Sequence, residues 1–205
     1  MGGVRGPGLR ARACPQAGAR EAPGKPAPLG RGVSHGAGRP RPIAADDDIA
    51  SFDCGQPSLN NYLHKRALAN HSSGASRCHV SVHEGRVVGY FALAAASAQH
   101  VDVRAKVRRN MPDPIPALLL SRLAVDAKFQ SRGLGRDLLF EALNLTLQAA
   151  ELVGVRVLLV HALNDEARNF YEKYDFGPSL TDPMHLMLLM QDVPAIAWPN
   201  GVAPY

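Results

Sequence analysis

Residues 118–135 read LLLSRLAVDAKFQSRGLG, and the fold turns on what this stretch does. From Leu118 to Val125 it is apolar apart from Ser121 and Arg122, the composition of a mostly buried strand. Gly133 and Gly135 bracket Leu134. From Arg136 onward the pattern becomes helical, through Leu138, Leu139, Ala142, Leu145, Ala149 and Leu152. A glycine turn that opens a helix presents unpaired backbone N–H groups at the positive end of the helix dipole, which makes an anion site. No Gly-Lys-Ser/Thr follows, so this is not a Walker loop, and the glycines fall at the wrong offsets for a dinucleotide fingerprint.

Around this element lies a chain of 205 residues, 46% hydrophobic, enough for one domain with a full core. The net charge of +5 is unevenly spread: residues 1–42 hold eight Arg or Lys against the single acid Glu21, leaving 15 basic and 17 acidic residues for the rest. The basic character therefore belongs to the leader and does not predict a basic face on the domain. Residues 1–42 also carry 10 of the 19 glycines and 7 of the 16 prolines without apolar periodicity, so they are expected to be a disordered leader before a domain at 43–205. Three accounts of the leader stay open: a tail or upstream extension without a structural role, a basic arm for RNA phosphates, and a targeting signal. The last fits worst, because no continuous apolar run is present and no span is long enough to cross a membrane. Cys14, Cys54 and Cys78 lack CxxC spacing, which suggests reduced thiols, a cytoplasmic setting, and small buried hydrophobes at Cys54 and Cys78. The eight histidines form no HExxH or His-x-His arrangement, so no metal is expected.

Elsewhere the pattern alternates between strand and helix. Pro57 and Ser58 open a first helix carrying Leu59, Tyr62, Leu63, Arg66 and Leu68. Residues 77–83 and 86–96 flank the turn signal His83-Glu84-Gly85 and predict an antiparallel hairpin. A polar stretch between Ser97 and Pro116 contains Arg104, Lys106, Arg108 and Arg109, a run that commonly marks only a solvated face. Residues 156–162 predict a buried parallel strand. Asn164 or Asp165 caps the next helix, in which Phe170 and Tyr174 share a core face while Tyr171 points about 100° away. Met184 to Met190 makes a final strand.

The form Q/R-x-x-G-x-G/A, here Gln130, Ser131, Arg132, Gly133, Leu134 and Gly135 after Leu123–Asp126, resembles the signature turn of the GNAT N-acetyltransferase superfamily. The segment from Asn164 to Phe176, of the form N-x-x-A-x-x-F-Y-x-x-x-x-F, is similar to the part of such proteins that closes the cofactor site. Phe52, Cys54, Gly55, Leu59, Asn60, Tyr62 and Leu63 resemble the opening of a narrower branch, the toxins of bacterial toxin–antitoxin pairs. The likeness spans about residues 43–190 and departs from the pattern in its leader and at Lys128-Phe129.

What the resemblance implies is an α/β fold with a central, splayed mixed sheet flanked by helices, and an enzyme that takes acetyl-CoA. Backbone N–H groups from Gln130 through Gly135 would hold the pyrophosphate. Those of Leu123 and Val125 would bond the pantetheine and thioester oxygen, and Asn164 would contact the cofactor arm. Tyr171 takes the place of the acid that protonates the leaving thiolate; the ordinary alternative is a packed tyrosine with a bonded hydroxyl. A free lysine amine (~10.4) is almost wholly protonated at neutral pH, whereas an α-amine (~7.7–8.0) is partly free. No buried carboxylate or histidine stands out as a base, although His161 and Glu166 lie close enough in sequence to serve, and this lack tilts the substrate toward an α-amine. The resembled toxins acetylate the amino acid on charged tRNA and pair with a ribbon-helix-helix antitoxin. Arg77, Arg86, Arg104, Lys106, Arg108 and Arg109 then become candidates for the tRNA backbone, and a homodimer is expected. Acetylation of a small amine or a protein N-terminus is an alternative, and a non-catalytic acetyl-CoA or RNA-binding module is one of another class.

Overall fold

The computed structural model describes residues 36–193. The expectations for residues 1–35, including Cys14, and for 194–205 lie outside the described residues. The elements in chain order are β1 (Arg41–Pro42), α1 (Pro57–Lys65), α2 (Ala67–Ser73), β2 (Arg77–His83), β3 (Arg86–Ala98), α3 (Ala105–Arg108), β4 (Ile115–Val125), α4 (Leu134–Val153), β5 (Val157–His161), α5 (Asp165–Glu172), β6 (Gly177–Pro178) and β7 (His185–Leu189). One seven-stranded sheet runs β1-β2-β3-β4-β5-β7-β6, and only the β4–β5 pairing is parallel.

The parallel pair follows from α4. A chain leaving the far end of β4 must return before it can run alongside, and a 20-residue helix spans about 30 Å, enough to set Val157 beside Ala117. Leu134, Leu138, Leu139, Ala142 and Leu143 are buried against the sheet. Gly89 on β3 allows this approach, because a Cβ there would stand 2.9 Å from Leu138 Cδ1 and 3.2 Å from Leu134 Cδ2. Leu152, expected on the apolar stripe, is 84% exposed. The spacing 138, 145, 152 repeats every seven residues and drifts about 20° per repeat from the face of a straight helix.

The opposite face of the sheet is covered in two places. α1 and α2 close over Cys78, Val80, Tyr90, Ala92 and Ala124, while α3 and its flanks close over Ile115, Ala117, Val157, Met187 and Leu189. The expected first helix is two helices, broken at Arg66 (φ −129°). The hairpin forms as expected, with Glu84 and Gly85 both at positive φ. Cys54 and Cys78 are buried thiols.

The domain begins before residue 43. Ala37 is 3% exposed in the core, Gly38 N–H donates to Val82 O at 2.8 Å, and β1 pairs with β2. Arg39 reaches Glu141 of α4 at 3.2 Å. Residues 36–42 are therefore packed, although their composition continues that of the leader. A glycine- and proline-rich segment can lie on an edge strand because its backbone bonds and the ion pairs of Arg39 with Glu141 and Arg41 with Asp47 help to hold it.

Candidate active site

β4 and β5 pair only from Ala117↔Val157 to Leu120↔Val160, and beyond that the strands part. The cause lies in β4 itself. Its register against β3 passes from Leu120↔Leu93 to Arg122↔Ala92, so Ser121 is an extra residue, a β-bulge that bends the strand away from β5. The Ser121 hydroxyl donates to Ala92 O at 3.1 Å. The bulge also shifts the alternation of β4: Leu118 and Leu120 face α4, and after it Leu123 and Val125 do so, while Ala124 joins the opposite face. Arg122 lies on that opposite face, with its guanidinium 5.1 Å from the Tyr62 ring centroid.

Where the strands part, a cleft of about 390 Å³ opens. Leu123 and Val125 of β4, Gln130, Ser131 and Gly135 of the turn, and His161, Asn164, Glu166 and Tyr171 from β5 and α5 line it together. Asp126 N–H donates back to Val88 of β3 at 2.9 Å, so strand alternation turns the N–H groups of Leu123 and Val125 into the gap.

The turn itself is built as an anion nest. Ser131 (φ 60°) and Gly133 (φ 92°) are both left-handed, which curls successive N–H groups toward one side. Gly133 caps α4 without a side-chain bond, and the first intrahelical bond to its carbonyl comes from Asp137 N–H. The donors of the first turn, Leu134 to Arg136, thus have no acceptor within the helix. The two glycines differ: Gly133 is required by its φ, whereas a Cβ on Gly135 would meet Val125 and Phe170 at an ordinary 3.7–3.9 Å. Gln130 ties the turn down. Its side-chain amide donates to Val125 O at 3.0 Å and Cys54 O at 3.2 Å, fastening the turn to the end of β4 and the approach to α1. Leu134 is 1% exposed, so its side chain belongs to the core. Arg132 lies 5.4 Å and Arg86 6.0 Å from the centroid of the Phe129 ring beside the turn.

Tyr171 is 8% exposed and packs against Phe170 and Phe176, at 5.2 and 5.4 Å between centroids. Burial pushes its phenol above the ordinary range, so it stays protonated. The Asn164 side chain accepts from Ala167 N–H at 2.8 Å and is the cap of α5. Phe170 and Tyr174 meet edge to face at 5.3 Å, as expected.

The six tRNA-candidate cations do not gather at the cleft. Arg77 donates to His71 O, Arg86 sits by Phe129, Lys106 is paired with Asp192 at 2.8 Å, Arg108 ends α3, and Arg104 and Arg109 flank it. The permanently charged side chain that does line the cleft is Arg122, which sequence reading left unassigned. The signal for it was present: two adjacent polar residues inside an apolar strand mark a bulge.

The acetyltransferase (GNAT) domain family matches residues 74–178. A tRNA-acetylating toxin of Mycobacterium tuberculosis (strain H37Rv) is 59% identical over 157 residues, 77% of this chain and 95% of the toxin. The chain belongs to the GNAT acetyltransferase family. Among solved structures, AtaT complexed with acetyl-methionyl-tRNAfMet matches this acetyltransferase with a TM-score of 0.69 at 28% identity, covering 73% of the chain and 92% of AtaT. A Tyr-to-Phe mutant of AtaT bound to the C-terminus of the antitoxin AtaR and acetyl-CoA matches with a TM-score of 0.65 at 28% identity, covering 75% and 94%.

Proposed function

We propose that the chain moves the acetyl group of acetyl-CoA to the α-amino group of an aminoacyl-tRNA, and that it is the toxin of a toxin–antitoxin pair. The observation that carries this reading is the convergence, in one cleft at the β4–β5 split, of the Ser131–Gly133 nest, the unpaired strand amides and the Tyr171 phenol. The cleft fits an extended thioester with a diphosphate at one end. The nest would take the diphosphate, with the N–H groups of Leu123 and Val125 along the pantetheine and at the thioester oxygen, and the Asn164 amide beside the arm. The bound thioester supplies an activated acyl carbon.

At that carbon, Tyr171 gives its proton to the departing sulfur. A free phenol (~10) is a weaker acid than a free thiol (~8.5), but the same exclusion of water that holds the phenol neutral also raises the proton affinity of the nascent thiolate. The amine attacks directly, so no covalent enzyme intermediate and no nucleophilic cysteine are required. The 59% identity to a tRNA-acetylating toxin supports the charged-tRNA substrate, and the AtaT complexes support an antitoxin as partner. In this reading the antitoxin is of the ribbon-helix-helix type, the toxin is a homodimer, and the site of action is the cytoplasm. Residues Arg77, Arg86, Arg104, Lys106, Arg108 and Arg109 act on the tRNA backbone away from the cleft.

The test is incubation of the protein with acetyl-CoA and total charged tRNA, followed by mass spectrometry of the released aminoacyl-adenosines. One acetyl group added to one or more of them supports the reading; acetylation confined to small amines or protein N-termini overturns it.

A further inference from the structure

We propose that His161 accepts the proton of the attacking amine and releases it to solvent. This deepens the function proposed above and rests on it. β5 ends at His161, one residue beyond the last β4–β5 pair, so its side chain stands where the sheet splits. It lines two hollows at once: the cleft that holds Tyr171, and a smaller one of about 90 Å³ lined also by Asp102, Ser179 and His185. The His161 and His185 rings stack at 4.0 Å between centroids with 26° between planes, and His185 Nε2 lies 3.6 Å from Asp182 Oδ2. His161 is exposed, so it stands between the reaction cleft and solvent, with His185 and Asp182 beside it.

The titratable and charged groups around His161 sort by role. Tyr171 from α5 is the acid. Arg122 from β4 has no lone pair to offer, and Cys54 has its thiol pushed up by burial. His185 and Asp182 come from β7 and the turn before it, and Asp102 from the segment before α3. Glu166 of α5 is the other possible acceptor in the cleft. General-base efficiency favours a conjugate acid near the working pH, and free imidazole (~6.5) meets that better than a free carboxylate (~4.3). Desolvation, with His185 second and Asp182 opposing, holds His161 below its ordinary range, so it is neutral and ready to accept.

The step balances. The amine nitrogen bonds to the acyl carbon and the carbon–sulfur bond breaks. The sulfur keeps the electron pair and takes the Tyr171 proton, while the surplus N–H proton goes to His161. Exchange of His161 with water, and of the cleft with solvent, restores imidazole and phenol.

The experiment measures kcat/KM for acetyl transfer to charged tRNA between about pH 5.5 and 9, bracketing the imidazole and α-amine ranges, with calorimetric acetyl-CoA binding as the folding control. His161→Gln is expected to lose about 10²-fold at neutral pH, to recover as pH rises past ~8 where the α-amine deprotonates unaided, and to bind acetyl-CoA as before. His185→Gln, which removes the neighbour that lowers His161, is expected to move the acid limb to higher pH. His161→Ala is expected to regain activity when free imidazole is added. An unchanged profile in His161→Gln, a His161→Ala that imidazole does not rescue, or a loss carried by Glu166→Gln instead overturns the assignment while leaving the acetyltransferase reading intact. Wild-type protein that binds acetyl-CoA and leaves charged tRNA untouched overturns that reading and this assignment together.

Discussion

In the proposed mechanism Tyr171 is the residue on which turnover depends most, and its environment explains why a phenol can serve. Packed between Phe170 and Phe176 with little exposure, its phenol is pushed above the ordinary range by burial and is protonated at neutral pH. Tyr171→Phe should keep the packing and remove only the proton, lowering kcat by about 10²–10⁴-fold with acetyl-CoA affinity retained; steady-state kinetics with calorimetry checks it. Gly133 makes a different kind of demand. At φ 92° any other residue sits in the left-handed region, so Gly133→Ala should cost about 1–2 kcal/mol in denaturant unfolding and weaken acetyl-CoA binding as well. His79 gives the fold a pH dependence of its own. Burial first, and His71 second, hold it at about 4 against an ordinary 6.5. The unfolded chain therefore takes up a proton between these values while the fold does not, so stability is lost as pH falls from 6.5 towards 4 and is fully present above that window. Thermal unfolding across this range should show the loss, and His79→Phe, which keeps the stacking on Phe91, should reduce it.

At the scale of elements, the site depends on how closely α4 sits on the sheet. Gly89→Val would drive a branched side chain into the fully buried Leu138 and Leu134 and lift the start of α4, where the nest is. The expected result is a destabilisation of about 1–3 kcal/mol together with weaker acetyl-CoA binding, read by unfolding and calorimetry on the same protein. Asn164→Ala removes the cap of α5, at about 1 kcal/mol, and loosens the helix that carries Tyr171. These elements differ in how far they were legible. The strand, glycine turn and long helix could be read because each has a local cause: apolar run, positive φ and helical spacing. The same holds for the hairpin at Glu84-Gly85. The break at Arg66 and the exposure of Leu152 could not, since both depend on where a helix meets the sheet. The bulge at Ser121 lies between: its polar pair is visible in the chain, but its effect on β5 needs the neighbouring strand. For the same reason Arg122 and His161, which tertiary structure brings to the cleft, were either missed or left open.

For the whole molecule, composition misplaced the start of the domain. Residues 36–42 look like the leader, yet Ala37 is buried and Arg39 pairs with Glu141, whose side chain is 7% exposed. A chain beginning at residue 43 strands Glu141 and should lose about 1–3 kcal/mol in denaturant unfolding relative to the full-length protein. Charge is another whole-molecule property that a linear reading blurred. The candidate cations 104–109 form one run in sequence, but the fold sets them by α3 and the start of β4 while the cleft opens at the far end of that strand. The central claim is that main-chain amides between Gln130 and Arg136 hold a diphosphate so that the thioester lies beside Tyr171. Its most direct test is calorimetric comparison of acetyl-CoA with acetyl-pantetheine, which carries the same thioester without the diphosphate. Two or more charge-assisted hydrogen bonds at the nest predict an affinity for acetyl-CoA about 100-fold or more above that for acetyl-pantetheine; equal affinities would contradict the account.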